Sequence, residues 1–582
     1  MKSVSVSGKK WIIKNFDPED VNYIKDNYYL DEIISKLIVT KKIKKEDIKN
    51  FLHPVIKNNL PNPSVLKDME KATNRTIAAI SNKEKIGIFG DYDVDGASST
   101  ALLGKYFSEI NHEFIIYIPD RRTEGYGPSK KGFDHLIDGG AKLIFTVDCG
   151  TLSFDQVDYA NKKKIDTLIL DHHQSEIKLP KAHSIINPNR LDDVSNLNYL
   201  CAAGVCFMFL VSLSRELRKS KFFSNRKEPN LIDYLDLVTL GTICDVVPLV
   251  GLNRALVKQG LKIIKLKKNL GLKTLIDICN IETHPTPYHL GYVLGPRINA
   301  GGRVGKCSHG ANLLLNIDSK KAFKLASELD VFNKERQILE KNLLNNVIKS
   351  IESLSDPVLI LKGDNWHEGI IGIIASRIKE KYNKPAIIIS ISKNIGKASA
   401  RSITGFDIGS VIISAVQKGL LIKGGGHKMA AGFTIDLKKI NEFKNFVLKK
   451  YEKQKNIAHE DRKILIDSVI SPSALNLDFF NKINVLAPFG AGNTEPKFVI
   501  ENVKIINSKI VGEKHIKSVL LGGDASTLKT IAFNALDNEI GAYLLKKNNK
   551  TFNIVGKLSL NEWKGQKNVE FIIDDISVNK NN

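Results

Sequence analysis

Cysteine is scarce in this chain of 582 residues, and the spacing of its cysteines excludes the commonest cysteine-based sites. The six cysteines include no C-x-x-C pair, the spacing that zinc ribbons and dithiol redox motifs use. The sequence therefore disfavours a structural zinc site and a disulfide framework. Unpaired cysteines of this kind are typical of proteins in a reducing compartment.

Long hydrophobic runs are also missing. The most apolar stretch, residues 200–213, carries no charge but is only 14 residues long, which is too short to span a bilayer. We expect it to form a buried helix instead. The N-terminal residues mix lysines with short apolar runs and lack the continuous apolar core of a secretory signal. These absences predict a cytoplasmic protein that makes no membrane contact.

Negative charge is in deficit. The chain has 86 lysines and arginines against 63 aspartates and glutamates, a formal net charge of +23 at pH 7. Clustered cations attract phosphates and release their counterions, so this excess favours a polyanionic partner such as a nucleic acid. Only 14 of the cations are arginines, however, and a lysine excess spread over the whole chain can be a compositional bias without any ligand. Charge alone leaves both explanations open.

Alternating strand and helix patterns follow an N-terminal extension that ends near residue 60. Short β-rich runs at 86–89, 114–118, 143–147 and 168–170 are separated by helix-length segments. This alternation indicates a parallel sheet with crossover helices.

The second half of the chain has a different pattern. Apolar residues recur at helical spacing from Lys320 to about Ser353, which predicts a long connecting helix. A second β-rich block begins near Pro357 and closes at 424–427, and beyond about Arg462 short strands and turn signals predict a small all-β domain. The chain is therefore expected to be an α/β multidomain protein.

Acidic and histidine residues follow three of the predicted strands in the first half. They are Asp91, Asp93 and Asp95 after the first strand, Asp148 after the third, and Asp171, His172 and His173 after the fourth. Open α/β sheets bind ligands at the edge where parallel strands end. Five carboxylates and two imidazoles at one edge repel each other unless cations neutralise them, and this mixed ligand set suits Mn²⁺ or Mg²⁺. Two such ions could activate a water molecule and bind the leaving oxygen of a phosphoester.

Each part of this pattern has an alternative explanation. A lone aspartate such as Asp148 at a strand end is often a helix N-cap. The run from Asp91 to Gly96 partly resembles the start of an EF-hand, but no bidentate glutamate follows at the required position. His172 and His173 alone could be a surface pair. The occurrence of acids or histidines after three strands together favours a metal site.

These motifs, together with Asp245 after an apolar helix-like run, resemble the DHH phosphoesterase superfamily. Further motifs narrow the resemblance to its single-strand-specific exonucleases. These are Gly125–Gly127, Gly295–Ala300, Trp366–Gly372, Ala398–Ser402, Gly424–His427 and Pro488–Asn493. The resemblance covers nearly the whole chain. It implies a parallel-sheet DHH domain, a long connecting helix, an α/β DHHA1 domain and a C-terminal all-β OB-fold.

The resemblance also implies a division of the chain. The expected segments are an N-terminal extension at 1–60, a DHH catalytic domain at 61–318, a connecting helix at 319–354, a DHHA1 substrate-binding domain at 355–458 and an OB-fold single-strand-binding domain at 459–582.

The resemblance implies one or two Mn²⁺ or Mg²⁺ ions and assigns roles around them. The implied metal ligands or immediate supports are Asp91, Asp93, Asp95, Asp148, His172 and Asp245. The implied catalytic set is Asp93, Asp95, Asp148, His172, His173 and Asp245. His173 either faces the substrate phosphate or completes the coordination. Asp171 is expected to orient an imidazole, as metal-bound histidines generally require.

Substrate-binding roles follow from the same resemblance. Arg121, Ser399 and Arg401 would hold the terminal 5′ phosphate, and Arg297 would contact the strand nearby. The implied phosphate clamp is a turn formed by Gly424, Gly425, Gly426 and His427, for which a plain hairpin turn is the alternative. Tyr126 and Trp366 either stack on bases or belong to the core, and most aromatic residues of the C-terminal domain are expected in its core.

The implied function is a metal-dependent exonuclease that degrades single-stranded DNA from the 5′ end to mononucleotides in recombination and repair. Single-stranded DNA is the expected partner, and the family suggests a single-strand-binding protein and a RecQ-type helicase as protein partners. One alternative is another DHH phosphodiesterase, acting on oligoribonucleotides or cyclic dinucleotides, although those relatives generally lack the OB-like tail. A catalytically silent single-strand-binding relative is the other alternative, but its expected signature is the loss of motif acids, which are all present here.

Overall fold

The computed structural model describes residues 3–351, 356–458, 463–546, 550–563 and 566–579. The chain forms two compact units. One comprises the described parts of Met1–Leu60, Pro248–Lys258 and Asp461–Asn582, and the other comprises those of Pro61–Val247 and Gln259–Glu460. The segment boundaries predicted at residues 354 and 459 lie outside the described residues.

The chain begins with two short strands and four helices, all in the first unit. They are β1 (Ser3–Ser5), β2 (Lys10–Ile13), α1 (Pro18–Tyr28), α2 (Glu32–Thr40), α3 (Ile48–Leu52) and α4 (Ile56–Asn59). The first helix begins at Pro18, because Asp17 accepts a hydrogen bond from the Glu19 amide and proline suits the first helical position.

A parallel five-stranded sheet with crossover helices follows. Its elements are α5 (Met69–Ser81), β3 (Ile86–Gly90), α6 (Val94–Glu109), β4 (Phe114–Tyr117), α7 (Lys130–Asp138), β5 (Leu143–Val147), α8 (Phe154–Lys162), β6 (Asp166–Leu170) and β7 (Ser184–Ile186). The strand order is β4-β3-β5-β6-β7, and every pair is parallel. This confirms the four predicted strands and adds β7. The three strands that precede the acidic motifs are neighbours.

Helices continue the chain beyond the sheet. They are α9 (Ala202–Lys219), α10 (Leu235–Cys244), α11 (Gly251–Lys265), α12 (Leu270–Ile278), a π-helical segment (His289–Leu294), α13 (Gly295–Val304), α14 (His309–Leu315) and α15 (Ser319–Ile351). Residues 202–210 of α9 are all buried, as predicted for the apolar stretch. None of the described helices combines the length and apolar character that crossing a bilayer demands. Helix α15 confirms the prediction of a long helix that begins near Lys320.

A mixed five-stranded sheet follows the long helix. Its elements are β8 (Leu359–Asp364), α16 (Ile371–Tyr382), β9 (Ala386–Ser392), β10 (Ile395–Arg401), α17 (Ile408–Gln417), β11 (Lys423–His427), β12 (Ala430–Asp436) and α18 (Ile440–Ala458). The order is β11-β12-β10-β9-β8. The expectation that Gly424–His427 forms a turn is wrong. These residues form the exposed edge strand β11, because an antiparallel ladder to β12 satisfies their backbone and the turn comes after them.

The C-terminal domain is mostly β-structure. Its elements are β13 (Lys463–Ile466), β14 (Ser468–Val469), α19 (Leu477–Asn484), β15 (Phe498–Val511), β16 (His515–Leu521), β17 (Thr527–Ala532), α20 (Glu539–Leu545), β18 (Phe552–Trp563) and β19 (Gln566–Asn579). Short 3₁₀ turns lie at Lys45–Asp47, Pro63–Val65, Leu231–Tyr234, Leu437–Lys439 and Pro472–Ala474.

The N-terminal residues are part of the same unit as this β-domain. Strand β1 extends its seven-stranded sheet by pairing with β19, and β2 pairs with β13. Phe498 and Phe552 lie in the core, as expected for most aromatic residues here, whereas Phe533 is half exposed. The residues predicted as an extension are therefore built into this unit.

Candidate metal centre and anion cavity

The acidic motifs converge at the carboxyl ends of β3, β5 and β6. Three groups of carboxylate and imidazole atoms each lie within 4.8 Å of one another. The groups are Asp91, Asp93 and Asp148; Asp148, His172 and His173; and Asp95, His172 and Asp245. The shared members Asp148 and His172 join the three groups into one cluster. The structure thus brings together every residue that the resemblance assigned to the metal centre.

His172 lies at the middle of this cluster. Its Nε2 is 3.3 Å from Asp148 Oδ1, 3.5 Å from Asp245 Oδ2 and 3.9 Å from Asp95 Oδ2. Asp245 reaches it from the C-terminal end of α10. Asp95 is completely enclosed, and its two oxygens accept hydrogen bonds from the Ala202 and Ala203 amides at the start of α9. The cluster therefore draws on two helix ends in addition to the three strands.

Asp148 has an unusual backbone conformation. Its φ angle is +61°, in the left-handed region, and Gly150 follows with φ +113°. A residue other than glycine in this region is uncommon, although aspartate and asparagine tolerate it best. The sharp turn leaves the Asp148 carboxylate buried at the strand end instead of continuing along β5. Asp148 is not an N-cap here, whereas Asp93 is one for α6 as well as a cluster member.

Asp171 forms a hydrogen-bonded pair with His173, which is a member of the cluster. Asp171 accepts from the Thr151 hydroxyl, from the amides of Thr151, His172 and His173, and from His173 Nδ1 at 2.8 Å. Burial alone would raise the pKa of Asp171, but these hydrogen bonds hold it well below its usual value. Burial likewise opposes protonation of His173, yet the Asp171 carboxylate raises its pKa to about 9. Asp171 therefore orients the His173 ring.

Asp91, Asp148 and Asp245 are destabilised in their ionised form. Burial, followed by repulsion from Asp93, raises the pKa of both Asp91 and Asp148 well above its usual value. Burial, followed by Asp95 and Asp93, raises the pKa of Asp245 to about 8. Among the described residues, Asp91 Oδ1 and His172 Nε2 are buried without a hydrogen-bond partner. Bound divalent cations would relieve the repulsion between these carboxylates and would coordinate the two unpaired ligand atoms. The residues present therefore fit Mn²⁺ or Mg²⁺.

Tyr126 lies against this centre. Its hydroxyl donates to the Asp148 carbonyl oxygen at 3.0 Å, and its ring is 5.6 Å from that of His173. The flanking glycines, Gly125 and Gly127, both have positive φ angles, and an added Cβ would have no neighbour within 4 Å at either. Of the two sequence alternatives for Tyr126, core and stacking residue, its half-exposed ring excludes the core.

A cavity of about 980 Å³ lies between the parallel sheet domain and the mixed sheet domain. Five arginines line it together with three glutamates; they are Arg121, Arg122, Arg303, Arg377 and Arg401, and Glu124, Glu368 and Glu380. Burial, followed by the nearby Arg121, lowers the pKa of Arg401 and brings that of Arg303 to about 10. No described carboxylate forms an ion pair with Arg121, Arg303 or Arg401, whereas Arg377 pairs with Glu340. Like charges without a counterion favour binding of an anion.

The cavity wall also presents a helix N-terminus. Helix α16 begins beside Ser399 and Arg401, and a Cβ added at Gly372 would lie 3.1 Å from Ser399 Oγ and 3.3 Å from Arg401 Nη2. Arg401 Nη1 donates to Ser399 Oγ at 3.1 Å. Amides at the start of a helix are unpaired and favour negative charge. Glycine at position 372 keeps the space in front of them open.

The structure does not bring all predicted substrate residues to this cavity. Arg297 forms an ion pair with Asp330 at 2.8 Å and does not line it. Of the glycine run, Gly424 alone lines the cavity, whereas Gly425, Gly426 and His427 do not. Trp366 packs on the core of the mixed sheet domain, where an added Cβ at Gly363 would meet its ring.

Some lining residues had no assigned role in the sequence analysis. Arg303 and Gly372 belong to or follow quoted motifs, and Arg122 and Lys397 are neighbours of predicted residues. The scarcity of arginine is the sequence signal that singles out Arg303 and Arg122, because both lie within or beside matched motifs. Gly372 carried no such signal, since its role depends on the approach of β10.

Three family models match the chain. They are the DHH family N-terminal domain over residues 85–242, the DHHA1 domain over 355–453 and the RecJ OB domain over 466–575. The single-stranded-DNA-specific exonuclease RecJ of Bacillus subtilis is 30% identical over 99% of this chain and 71% of its own length. The enzyme of the same name from Escherichia coli is 33% identical over 88% of this chain and 90% of its own length.

Solved structures of RecJ also match this chain. The crystal structure of RecJ from Thermus thermophilus in complex with Mn²⁺ matches with a TM-score of 0.79 at 26% identity, covering 97% of this chain and 79% of that chain. A second crystal structure of that protein is in complex with Mg²⁺ and matches with a TM-score of 0.76 at 25% identity, covering 98% of this chain and 79% of that one.

Proposed function

Because the chain belongs to the RecJ family of single-stranded-DNA-specific exonucleases, we propose that it degrades single-stranded DNA from the 5′ end to mononucleotides in recombination and repair. The observation that carries the proposal is the closeness of the acidic cluster to the cationic cavity. Arg121, in the cavity, lies 5.4 Å above the ring of Tyr92, the residue between Asp91 and Asp93. A terminal phosphate held in the cavity would place the next phosphodiester toward the acids.

The proposed cofactor is Mn²⁺ or Mg²⁺, as one or two ions. We assign its binding to the cluster members predicted from the motifs, which are Asp91, Asp93, Asp95, Asp148, His172 and Asp245. When bound, such ions make a water molecule nucleophilic at neutral pH and stabilise the charge that develops on the phosphoester. The carboxylates hold the cations, and their buried position excludes bulk water from the reacting atoms.

His173 and Asp171 act together in this proposal. The hydrogen bond from His173 Nδ1 to Asp171 raises the pKa of the imidazole and fixes its orientation. Half of the His173 side chain is exposed, so its ring can face the substrate phosphate. We therefore assign His173 to binding the scissile phosphate, the first of the two roles that the sequence left open.

The polarity of digestion is assigned to the cavity. Arg121, Ser399 and Arg401 would hold the terminal 5′ phosphate, with Arg303 and the α16 amides beside Gly372 completing the site. A bidentate guanidinium matches two phosphate oxygens better than an ammonium does. We also propose that Arg297 contacts the DNA strand nearby, while its guanidinium keeps the hydrogen bond to Asp330. Gly424 would add backbone contacts, and Gly425, Gly426 and His427 would contact the strand only beyond the cavity.

The test of this function is digestion of 5′- and 3′-labelled single strands and duplexes in the presence of Mn²⁺. The expected result is immediate release of the 5′ label as a mononucleotide from single strands and little release from duplexes. Initial release of the 3′ label, or equal digestion of duplexes, would contradict the proposal. A rival DHH phosphodiesterase would instead prefer short oligoribonucleotides or cyclic dinucleotides, and the matched OB domain at 466–575 disfavours that alternative.

We also propose protein partners and a cellular location. A single-strand exonuclease needs strands separated and kept open, so a RecQ-type helicase and a single-strand-binding protein are the proposed protein partners. A cytoplasmic location is proposed because all six cysteines are free thiols. Co-purification from a cross-linked lysate before and after DNase treatment checks the partners, since association that disappears with the DNA is not direct.

A further inference from the structure

Two exposed tyrosines stack on each other between α12 and α13. The ring centroids of Tyr288 and Tyr292 are 5.4 Å apart, with an angle of 24° between the ring planes. Their exposed fractions are 64% and 75%. Aromatic rings contribute most when they are buried, so two rings left in solvent form a surface suited to covering by a ligand.

The segment that carries the tyrosines is braced on the helix end before Asp245. Tyr292 lies in the π-helical segment His289–Leu294 and Tyr288 immediately precedes it, and the segment is anchored in the core by Leu290 and Leu294. Cys244 Sγ donates to the Leu290 carbonyl oxygen at 3.4 Å, and a Cβ at Gly291 would be 3.6 Å from Ile243. π-Helical turns are rare and frequently occur at functional sites. Tyr292 directly follows Gly291, so the stacked rings flank this contact.

The residue after Asp245 extends the exposed apolar surface. Val246 is 68% exposed and has a φ angle of +60°, which a β-branched residue adopts only at a cost. This conformation leaves an apolar side chain facing solvent directly after Asp245, at the same end of α10.

We propose that Tyr288 and Tyr292 form a stacking ledge for nucleobases of the single strand that the metal centre cuts. This inference rests on the proposed function. The ring pair is linked to the centre through the end of α10, because Leu290 and Gly291 contact Cys244 and Ile243, the two residues before the cluster member Asp245. Stacking on aromatic rings tolerates every base because each base has a π-face, which suits an enzyme that removes nucleotides without regard to sequence.

The test combines single base deletions in the substrate with single ring deletions in the full-length protein. KM and kcat are measured with Mn²⁺ for 5′-phosphorylated strands that carry one abasic site at successive positions. For wild type we expect KM to rise about tenfold at one or two positions, because one base–aromatic stack is lost. Tyr288→Ala and Tyr292→Ala should raise KM for the intact strand by a similar factor, with kcat little changed, and should show no further rise with the abasic strands.

The controls separate stacking from other causes. Tyr292→Phe keeps the ring and should resemble wild type, and Tyr29→Ala removes an exposed tyrosine from the other unit and should change nothing. A second measurement uses wild type alone. 2-Aminopurine placed at the sensitive positions should lose fluorescence on binding, and the same probe several positions further along the strand should not.

The outcomes are distinct. An abasic penalty that persists undiminished in both alanine variants, or fluorescence that is not quenched at any position, overturns the ledge. Loss of self-association or of binding to another protein with unchanged KM overturns it too, since the rings would then cover a protein surface. Failure of the wild type to cleave intact single strands would instead reject the proposed function.

Discussion

At the scale of single residues, Asp148 concentrates the chemistry of the metal centre. It belongs to two of the three ligand groups, its carboxylate is buried, and its backbone lies in the left-handed region. A substitution here must therefore keep the backbone conformation if its effect is to be assigned to the lost charge. Asparagine has the same shape and also tolerates positive φ angles.

Asp148→Asn should abolish the exonuclease while leaving the fold intact. We expect activity with Mn²⁺ to fall by about 100-fold or more, because one cation ligand is lost from a shared position. Without metal, the variant should melt at a higher temperature than wild type, because a buried carboxylate repelled by its neighbours is replaced by a neutral group. Initial rates and melting in EDTA check the two parts. Asp158→Asn, an exposed aspartate on α8, is the matched control and should change neither.

Arg401→Ala tests the anchoring of the substrate end. Wild type should prefer 5′-phosphorylated strands over 5′-hydroxyl strands, and the variant should lose about tenfold of that preference, because one charge-assisted contact to the phosphate disappears. Cleavage of 5′-hydroxyl strands should change little and is the internal control. Equal loss of activity on both kinds of end would place Arg401 outside the phosphate site.

At the scale of elements, three strand ends and two helix ends build the centre together. The acids follow β3, β5 and β6, which are neighbours in the sheet, and α9 and α10 supply amides and Asp245. Without cations this arrangement holds repelling carboxylates at fixed distances. Metal binding should therefore stabilise the folded protein as well as activate it.

Removal of metal should destabilise the protein more at pH 8 than at pH 6. In the metal-free protein the pKa of Asp245 is about 8, against its ordinary value of 3.8, and those of Asp91 and Asp148 are also raised. Between these values the folded state binds protons that the unfolded state does not, so its stability falls as the pH rises. Melting temperatures with EDTA and with Mn²⁺ across this range measure the difference. A constant difference would contradict the raised pKa values.

The start of α16 is the second element with a testable role. Gly372→Ala adds a methyl group that would lie 3.1 Å from Ser399 Oγ, in front of the helix amides. We expect a higher KM for 5′-phosphorylated strands and no change for 5′-hydroxyl strands, because the methyl group occupies the proposed phosphate position. Alanine favours a helix more than glycine does, so the variant should not lose stability, and melting checks this.

At the scale of the whole molecule, the N-terminal residues are integral to one of the two units. Strand β1 pairs with β19 and β2 pairs with β13, and Lys14 forms an ion pair with Asp467 at 2.7 Å. Arg254 adds a further link within this unit, since it donates to backbone carbonyls of Phe51 and Leu486. Chain segments far apart in sequence therefore stabilise one domain.

Trp11→Phe should destabilise this unit without altering the metal centre. Trp11 Nε1 donates at 2.8 Å to Asp575, which is fully buried, and loss of a donor to a buried carboxylate costs about 1–3 kcal/mol. The free energy of unfolding from denaturant titration of the full chain measures the loss. Mn²⁺ binding should stay at the wild-type level, and Tyr29→Phe is the control at an exposed ring.

Much of the fold and the centre could be predicted because the signals are local. Apolar runs of strand length followed directly by Asp91, Asp148 and Asp171 imply buried parallel strands that deliver acids to one edge, and the structure has this arrangement. The glycine run at 424–427 was misassigned as a turn because glycine is equally compatible with a turn and with a tightly packed edge strand. Only the ladder to β12 distinguishes the two.

The sequence by itself determined the kind of chemistry, since clustered acids and imidazoles at strand ends of a basic chain require cations whatever their exact geometry. Tertiary structure alone decided which cations are free for a ligand. Arg297 and Arg401 look equivalent in the sequence, yet Asp330 neutralises the first, whereas Arg401 lies beside Arg121. It also decided that the first residues complete the C-terminal sheet. Ion pairs and strand pairs join residues that are distant along the chain, and no local pattern records which distant residues the fold brings into contact.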